Sequence, residues 1–492
     1  MAYAISGRHA AIPFASSPST MNPMKYSSLY IFIAGSALLS SCGLFGHYER
    51  DTQGVETLAK DLYRDPQAAN APMTAVDTTS FGNTPWQEVF TEPQLQALIS
   101  RALEQNTDIR KAQLTVKQAE IGLRVNKLAY LPQIALSPSG TVSKAFIDGA
   151  SNSKTYEVPL QASWQIDAFG TLYNSKKQGE QTVLIAKASQ QATRTAIIAA
   201  VANMYYGLQM LDEQQRITKA NLELWQKDIE AMEALKDYAG MMNSSAIASA
   251  KAQVLQIEAS LPTIEDNIRQ LENSLCSILH EAPHAIARPA FSATGFPESF
   301  SAGIPMQMLA NRPDVAIAEA QLAQQFYGIQ AARGAFCPSL NIAASGAFTN
   351  SLGTAIMNPG KWLAAGVASL TQPLFAQGKL RANLQVAKIN AESAQLNFEQ
   401  TLIDAGVEVS NALAAYSTAV TTTDLAEQTL LQLQKAYDDT EYLFHNGNTT
   451  TYLEILSAQM NLLNGQLNVA NQRYNKVLAV ITLYQALGGG RE

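Results

Sequence analysis

The sequence is poor in charged residues, histidine and cysteine. Only 15% of its 492 residues are charged, against about 25% in an ordinary soluble protein. The balance is acidic, with a formal net charge of -7, and an acidic chain without a block of basic residues argues against nucleic-acid binding. Three cysteines give no disulfide framework. Five histidines, no nucleophile elbow and no phosphate-binding glycine loop leave little that points to catalysis or a cofactor.

An apolar segment near the start ends at a cysteine. Residues 29–39 are too short to span a membrane permanently, and the sequence S-S-C-G at positions 40–43 follows them. This pattern resembles a bacterial lipoprotein signal with its lipobox, so residues 1–41 are predicted to be a cleaved signal and Cys42 to be lipid-modified. Glycine rather than aspartate after the cysteine implies the outer membrane. Removing residues 1–41, which hold two bases and no acid, takes the net charge from -7 to -9.

Two alternatives remain for this segment. In the first alternative, the apolar run is not cleaved and serves as a membrane anchor. In the other, translation starts at Met21 or Met24, which leaves a signal of 21 or 18 residues instead of 41. The irregular, polar segment 42–84 is predicted to be a tether between the lipid and the body of the protein.

A thirteen-residue segment alternates between apolar and polar side chains. Residues 156–168 read Y-E-V-P-L-Q-A-S-W-Q-I-D-A, which has the period of a β-strand. Its length fits the roughly 9 to 11 residues that cross a bilayer in a barrel, although half of a soluble sandwich is an alternative. In the barrel interpretation the apolar positions face lipid: Val158, Leu160, Trp164 and Ile166.

Helix-forming sequence without proline follows this strand from residue 171 to about 237. A helix of that length would be roughly 100 Å long, far beyond ordinary globular helices. The other predicted helices cover about 91–129 with Thr91 as the cap, 246–280 with a kink at Pro262, 305–333, 379–444, and a last one ending at 487. The other predicted strands cover 134–143, 340–350 and 362–372.

Matching residues recur 206 positions apart, which indicates an internal repeat. Residues 85–290 and 291–492 are therefore predicted to be two structural repeats, each with a helix, two strands, a long helix and a shorter helix. Two such shorter helices stacked end to end match the length of one long helix. The matching pairs are Asp108 with Asp314, Pro132 with Pro338, and Ala252 with Ala458.

The second long helix carries a coiled-coil seam. The last of twelve apolar positions lies 39 residues after the first, in 11 steps, which is close to the 3.5 spacing of a left-handed supercoil. The seam is rich in alanine, so neighbouring helices are expected to approach closely. Its members are Leu380, Leu384, Ala387, Ala391, Ala394, Phe398, Leu402, Ala405, Val409, Ala412, Tyr416 and Ala419.

Two short motifs have a metal interpretation. The segment H-E-A-P-H at 280–284 matches the zinc-protease pattern H-E-x-x-H. Pro283 disfavours the unbroken helical turn that both histidines would need, so a helix end and turn is predicted there instead. The pair Met241-Met242 at a hairpin tip suits either packing or a soft cation such as Cu(I). Cys276 and Cys337 are predicted to be buried small apolar residues.

Four stretches together resemble the outer-membrane efflux proteins of the TolC-like family, in its lipoprotein branch that serves resistance-nodulation-division pumps. They lie at 86–110 (W-Q-E-V-F-T-E-P…N-T-D-I-R), 309–322 (L-A-N-R-P-D-V…), 372–380 (Q-P-L-F-A-Q-G-K-L) and 483–490 (L-Y-Q-A-L-G-G-G). The resemblance implies a mainly α fold with a β-barrel part. In that family, three protomers form one twelve-stranded outer-membrane barrel that continues into a helical tunnel across the periplasm, and the resemblance implies the same here. The implied partners are a periplasmic adaptor and an inner-membrane pump.

Barrel physics points to oligomerisation independently of the resemblance. About eight strands are the practical minimum for a membrane barrel, and open sheet edges in lipid leave unpaired backbone groups that cost several kcal/mol each. Four predicted strands per chain are too few, so the chain is expected to assemble with copies of itself. The number three comes from the resemblance alone.

The ends of the long helices farthest from the strands are the predicted periplasmic gate. Glu454 lies just inside the second hairpin, and its counterpart 206 positions earlier is Ala248, so the repeat does not require this acid. Several copies around an axis would form an acidic ring that attracts cations; a solvated glutamate in a first helical turn is the alternative. The other gate candidates are Tyr238, Tyr442, Asp438, Asp439 and Glu441.

The predicted function is a passive duct that exports small molecules through the outer membrane as part of a tripartite pump. A duct for metal ions or for type I protein secretion is the alternative within this class. A structural periplasmic coiled-coil lipoprotein is the rival class, but it would not need strands of membrane length.

Overall fold

The computed structural model describes residues 46–50, 81–143, 153–239, 244–291, 312–350, 362–446 and 450–491. Cys42, the signal segment and most of the predicted tether lie outside the described residues. After a 3-10 turn at Phe81–Asn83, the helices are α1 (Trp86–Val89), α2 (Pro93–Gln105), α3 (Thr107–Leu128), α4 (Thr171–Ala239), α5 (Ser244–Leu279), α6 (Pro313–Gly334), α7 (Lys379–Asn446) and α8 (Tyr452–Ala486). The strands are β1 (Gln133–Leu136), β2 (Ser139–Ser143), β3 (Ser153–Ile166), β4 (Ser339–Asn350) and β5 (Trp362–Thr371).

Both predicted long helices are confirmed. α4 has 69 residues and α7 has 68, so each is roughly 100 Å long. α5 continues through Pro262. Of the helix predicted at 305–333, residues 305–311 lie outside the described part of the chain, and the observed helix begins at Pro313.

The single helix predicted from Thr91 to about residue 129 is wrong. It is divided into α2 and α3 by Asn106, whose backbone is extended and whose side-chain oxygen accepts hydrogen bonds from the backbone nitrogens of Asp108 and Ile109. An asparagine that caps a new helix in this way interrupts the helix before it. The N-cap position of α2 is Glu92 rather than Thr91, and its side chain makes no capping hydrogen bond.

The shorter helices stack end to end, as their lengths predicted. Asn106 Nδ2 donates to the carbonyl oxygen of Ile278 near the end of α5, at 2.9 Å, so α3 continues the line of α5. Arg312, which precedes α6, donates to the carbonyl oxygen of Ala486 at the end of α8, at 2.5 Å. The side chain thus satisfies a carbonyl that the end of α8 leaves without a helical partner.

A hydrophobic core surrounds these two junctions, halfway along the long helices. It joins α1 and α2 to the middle of α4 and to the last turns of α5 and α8. Close packing explains the final glycines, since a Cβ at Gly489 would lie 2.5 Å from the Tyr484 ring. Among the buried side chains are Phe90, Leu95, Ile99, Tyr205, Leu208, Leu279, Ile481 and Leu483.

The predicted seam of α7 is confirmed. All twelve of its positions are buried or half-buried, and α7 packs against α6 and α8. Phe398, Leu402 and Ala405 form one hydrophobic cluster with Val315 and Ala318 of α6.

The strands form one antiparallel sheet in the order β1-β3-β4-β5, with β2 also paired to β3. The first strand, predicted as continuous over 134–143, is interrupted at Ser137 and Pro138. Ser137 N still donates to the carbonyl oxygen of Pro159 in β3, at 3.2 Å. β1 and β2 therefore occupy one edge of β3 together, and the sheet has four strand positions.

Among the described helices, we find none that combines the length and the apolar character required to cross a bilayer.

Candidate functional site

The register of the sheet collects apolar side chains on one face. Residues directly opposite each other in neighbouring strands lie on the same face, so the alternation seen in β3 extends across the sheet. Trp164, Ile342 and Ala368 are aligned in one row. Further rows on this face include Ile134–Ala162–Ala344–Gly366, Leu136–Leu160–Gly346–Ala364, Val158–Phe348–Trp362 and Ile166–Leu340–Leu370.

The opposite face of the sheet is mostly polar. Gln165, Asn341 and Ser369 form one row, and the next rows contain Gln133, Ser163, Gln161 and Ser345. One apolar and one polar face is the pattern of a strand that separates lipid from an aqueous interior. The predicted positions Val158, Leu160, Trp164 and Ile166 all lie on the apolar face.

The strands and the helices that adjoin them follow the same side-by-side order, so both layers have their edges at the same two sides of the molecule. β1 lies at one edge of the sheet and β5 at the other. The helices that adjoin the strands follow the same order, since α3 packs on α4, α4 on α6 and α6 on α7. Within the described chain, therefore, β1 and α3 end the layer on one side, and β5 and α7 end it on the other.

α3 and α7, the helices at the two edges of this layer, each expose an apolar stripe. On α3 the exposed members are spaced by seven, four and three residues, so they share one face: Leu114, Ile121, Val125 and Leu128. On α7 the spacings are three, seven, seven and four, and the stripe lies away from the buried seam: Val386, Ile389, Leu396, Ile403 and Val407.

Four helix ends meet at the far end of the molecule. The last turns of α4 and α7 and the first turns of α5 and α8 enclose a second hydrophobic cluster. The cluster includes Trp225, Met232, Ile247, Tyr452 and Leu456. Packing, rather than the connecting residues alone, thus holds these ends together.

A polar group within this cluster was missed by the sequence analysis. Gln459 of α8 is 1% exposed and donates from Nε2 to Asp228 Oδ2 of α4. Burial is the main reason why the pKa values of Tyr437 and Tyr452, which lie beside this pair, are raised. A signal existed in the sequence, because Asp228 lies at helical spacing between Trp225 and Met232, and Gln459 between Leu456 and Leu463.

The structure describes most of the predicted gate residues. Glu454 is exposed in the first turn of α8, where its Oε2 accepts a hydrogen bond from Thr451 N at 2.9 Å. Tyr442 is 67% exposed. Asp438 and Asp439 are exposed, and Asp438 accepts from Gln434 Nε2 at 2.8 Å. The side chain of Tyr238 and both residues of the Met241-Met242 pair lie outside the described residues.

The helix end predicted at H-E-A-P-H is confirmed. α5 ends at Leu279, and His280 has a φ of 59°, which is left-handed. His280 and His284 therefore do not share a helical turn, as a zincin site requires. In the described part of the chain, no group of three or more histidine, cysteine or acidic side chains is arranged to hold a metal ion.

The two cysteines differ in burial. Cys276 is buried as predicted, with its Sγ 3.5 Å from His284 Nδ1. Cys337 is only partly buried, because it lies in the turn between α6 and β4, where a shallow cavity opens.

Comparison with known proteins gives relatives along nearly the whole chain. The chain is 27% identical to the cation efflux system protein CusC of Escherichia coli O157:H7, over 96% of this chain and 99% of that protein. It is 26% identical to the toluene efflux pump outer membrane protein TtgI of Pseudomonas putida, over 95% and 99% of the two chains.

Solved structures agree with these relatives. The crystal structure of CusC superposes with a TM-score of 0.78 at 26% identity, covering 83% of this chain and 95% of that one. The open state of the MtrE outer membrane channel of Neisseria gonorrhoeae also gives 0.78 at 26% identity, over 85% and 94%. The model of the outer membrane efflux protein family matches residues 98–280 and 304–489. The chain belongs to the outer membrane efflux protein family and is the outer-membrane component of an efflux pump.

Proposed function

We propose that three copies of this chain close into one channel, a twelve-stranded barrel continued by a tunnel of long helices, through which small molecules leave the periplasm. The observation that carries this proposal is the pair of free edges. β1 and α3 on one side, and β5 and α7 on the other, each have a neighbour in this layer on their inner side only, within the described chain. Exposed sheet edges are not tolerated in lipid.

The directions of the elements support closure. All strand pairs in the sheet are antiparallel, and the number of strand positions is even. β5 of one copy would therefore meet β1 of the next in antiparallel orientation, continuing the alternation around the ring. α3 runs toward the strands and α7 runs away from them, so these helices would also pair antiparallel through their apolar stripes.

The two-repeat organisation, 85–290 and 291–492, is part of the same proposal. The elements follow in the same order in each half, and the family model matches once in each half. A repeat explains why the sheet ends in edges of complementary direction, because each copy of the unit contributes one strand pair and one helix pair.

Native mass spectrometry in detergent and conductance in planar bilayers test this proposal. We expect a trimer that forms discrete channels, because family members are trimeric and the free edges need partners. A stable, folded monomer without conductance would refute it.

We propose further that Cys42 anchors the chain in the outer membrane and that the long helices extend into the periplasm. Residues 46–50 support this arrangement, because they lie along α4 and α6 close to the strands. Tyr48 N donates to Tyr327 Oη at 3.3 Å, and Arg50 pairs with Glu319. The lipid on Cys42 would then lie only a few residues from the membrane end of the helices.

The relatives of this chain are named for different exported substrates. CusC is named for cation efflux and TtgI for toluene efflux, so these relatives cover both metal ions and organic compounds. We propose small molecules as the substrate class, with metal ions as the alternative. Deleting the gene and measuring sensitivity to organic solvents, drugs, copper and silver separates them; sensitivity to the metals alone would overturn the first choice.

A further inference from the structure

The turn between β5 and α7 exposes two large apolar side chains. Leu374 is 93% exposed and Phe375 is 87% exposed, the highest values among the exposed large hydrophobic residues of the described chain. Gln377 and Gly378, which follow, both have positive φ angles, so the turn has a defined backbone. Burying side chains of this size is strongly favourable, which points to a partner that covers them.

The internal repeat supplies a turn equivalent to this one, between β3 and α4, and the structure shows which segment of the chain lies against it. Phe169 lies 206 positions before Phe375, in the turn between β3 and α4, and it is only half-exposed. The turn between α6 and β4 lies against it. A Cβ at Gly334 would be 3.2 Å from the carbonyl oxygen of Phe169, and Phe169 and Cys337 line one shallow cavity.

The turn between α6 and β4, which lies against Phe169, also has an equivalent in the repeat, at the β1 edge of the molecule. Residues 334–338 (G-A-F-C-P) correspond at the same offset to residues 128–132 (L-A-Y-L-P), in the turn between α3 and β1. Here Leu128 is 52% exposed and Leu131 is 60% exposed. Each chain thus exposes the apolar turn at Leu374 and Phe375 at one edge. At the opposite edge it exposes residues 128–132, the equivalent of the turn that lies against Phe169.

We propose that Leu374 and Phe375 of one copy pack against residues 128–132 of the next copy. The contact would repeat between chains the packing that Phe169 makes within one chain. It lies where the strands give way to helices, so it would fix the barrel and the helical tunnel in one rotational register. This inference rests on the proposed closure of three copies and assigns a specific contact to it.

Cysteine pairs test the contact. In a Cys337→Ser background, Phe375→Cys combined with Leu131→Cys is expected to give covalent dimers and trimers with a short thiol-specific cross-linker on a denaturing gel. The matched control combines Phe375→Cys with Leu114→Cys, which is exposed on α3, the helix that leads into this turn, but lies about 20 Å farther from the strands. The control pair is expected to remain monomeric on the gel.

Thiol labelling gives a second measurement that needs no cross-link. In the assembled protein, Phe375→Cys is expected to react with a maleimide at least tenfold more slowly than Glu49→Cys, which replaces an exposed residue. A trimer by native mass spectrometry with no cross-linking and equal labelling rates overturns this contact but leaves the channel proposal standing. A wild-type protein that remains monomeric overturns both.

Discussion

At the scale of single residues, several polar side chains have clear structural roles. Asn106 and Arg312 lie 206 positions apart, and each bonds a carbonyl oxygen near the end of the helix stacked below it. Arg312 also pairs with Asp314 and Glu408 while its side chain is only 8% exposed. A buried cation with several partners fixes the junction between α8 and α6, because no apolar residue would satisfy the same groups.

We therefore expect Arg312→Ala to cost about 1–3 kcal/mol, since it leaves the buried carbonyl oxygen of Ala486 without its partner. Asn106→Ala should cost about 0.5–2 kcal/mol, the usual range for a helix cap. Thermal unfolding followed by circular dichroism would measure the order of the two effects. Equal melting temperatures for wild type and Arg312→Ala would contradict the assigned role.

Glu454 permits a test that separates charge from structure. Its carboxylate accepts a hydrogen bond from Thr451 N, and a glutamine can accept the same bond in a capping box. We propose that copies of Glu454 form an acidic ring at the periplasmic end, so Glu454→Gln should weaken channel block by a trivalent cation without changing trimer assembly. Block that is unchanged would move the ring to Asp438, Asp439 or Glu441.

At the scale of elements, α7 has two apolar faces with different partners. Its seam packs against α6 and α8 within the chain, whereas its stripe is exposed. Leu396 and Phe398 are two residues apart but belong to different faces, the first 60% and the second 5% exposed. One helix therefore contributes both to the fold of a single chain and, in our proposal, to the contact between chains.

Substitutions on the two faces should have different effects. Leu396→Glu is expected to lower the trimer fraction in native mass spectrometry while each chain keeps its helical content, because only the exposed stripe is altered. Phe398→Ala removes a buried aromatic ring, which typically costs about 3–5 kcal/mol, and should lower the melting temperature. If Leu396→Glu left the trimer intact, the stripe would not be an interface between copies.

At the scale of the whole molecule, the proposed channel places the membrane around the sheet. Trp164 lies on the apolar face of the sheet, whereas Trp86 and Trp225 are buried in the helical part at 4% and 1% exposure. Trp362 is in the strand row that pairs with Phe348, on the same face as Trp164 by register. Two of the four tryptophans are thus expected to contact lipid.

A brominated lipid should quench the fluorescence of Trp164 more strongly than an aqueous quencher does. Trp164→Phe should remove a large part of this lipid quenching, and Trp225→Phe, the matched control, should leave it unchanged. Stronger quenching from water than from lipid would mean that the apolar face does not contact the bilayer.

Lipid attachment gives an independent test of placement. Cys42→Ser is expected to abolish acyl labelling of the mature chain, because the lipobox supplies the only attachment site we predict. The trimer should still form, since its proposed contacts lie in the strands and helices. Continued acyl labelling of Cys42→Ser would refute the lipoprotein assignment.

Local patterns in the sequence determined the length and type of the main elements. The coiled-coil seam and the alternating strand follow from side-chain periodicity, which depends only on how the backbone turns. The helix of 69 residues follows from a long run of helix-forming residues without proline. The helix end at His280 was predictable for a similar reason, because Pro283 acts on its nearest neighbours. The repeat offset also paired residues that perform the same task, such as Asn106 and Arg312.

Tertiary structure decided the features that depend on contacts between distant segments. Asn106 ends α2 because it both caps α3 and donates to the carbonyl oxygen of Ile278, 172 residues away. Local helix propensity does not include the stabilisation from this distant hydrogen bond. The interruption at Ser137 and Pro138 and the buried Gln459–Asp228 bond likewise depend on which partner lies opposite. Open sheet edges were expected from the number of strands, but only the packed sheet and helices showed that β1 and β5 form them and that Phe375 is exposed, because exposure depends on which neighbours are present.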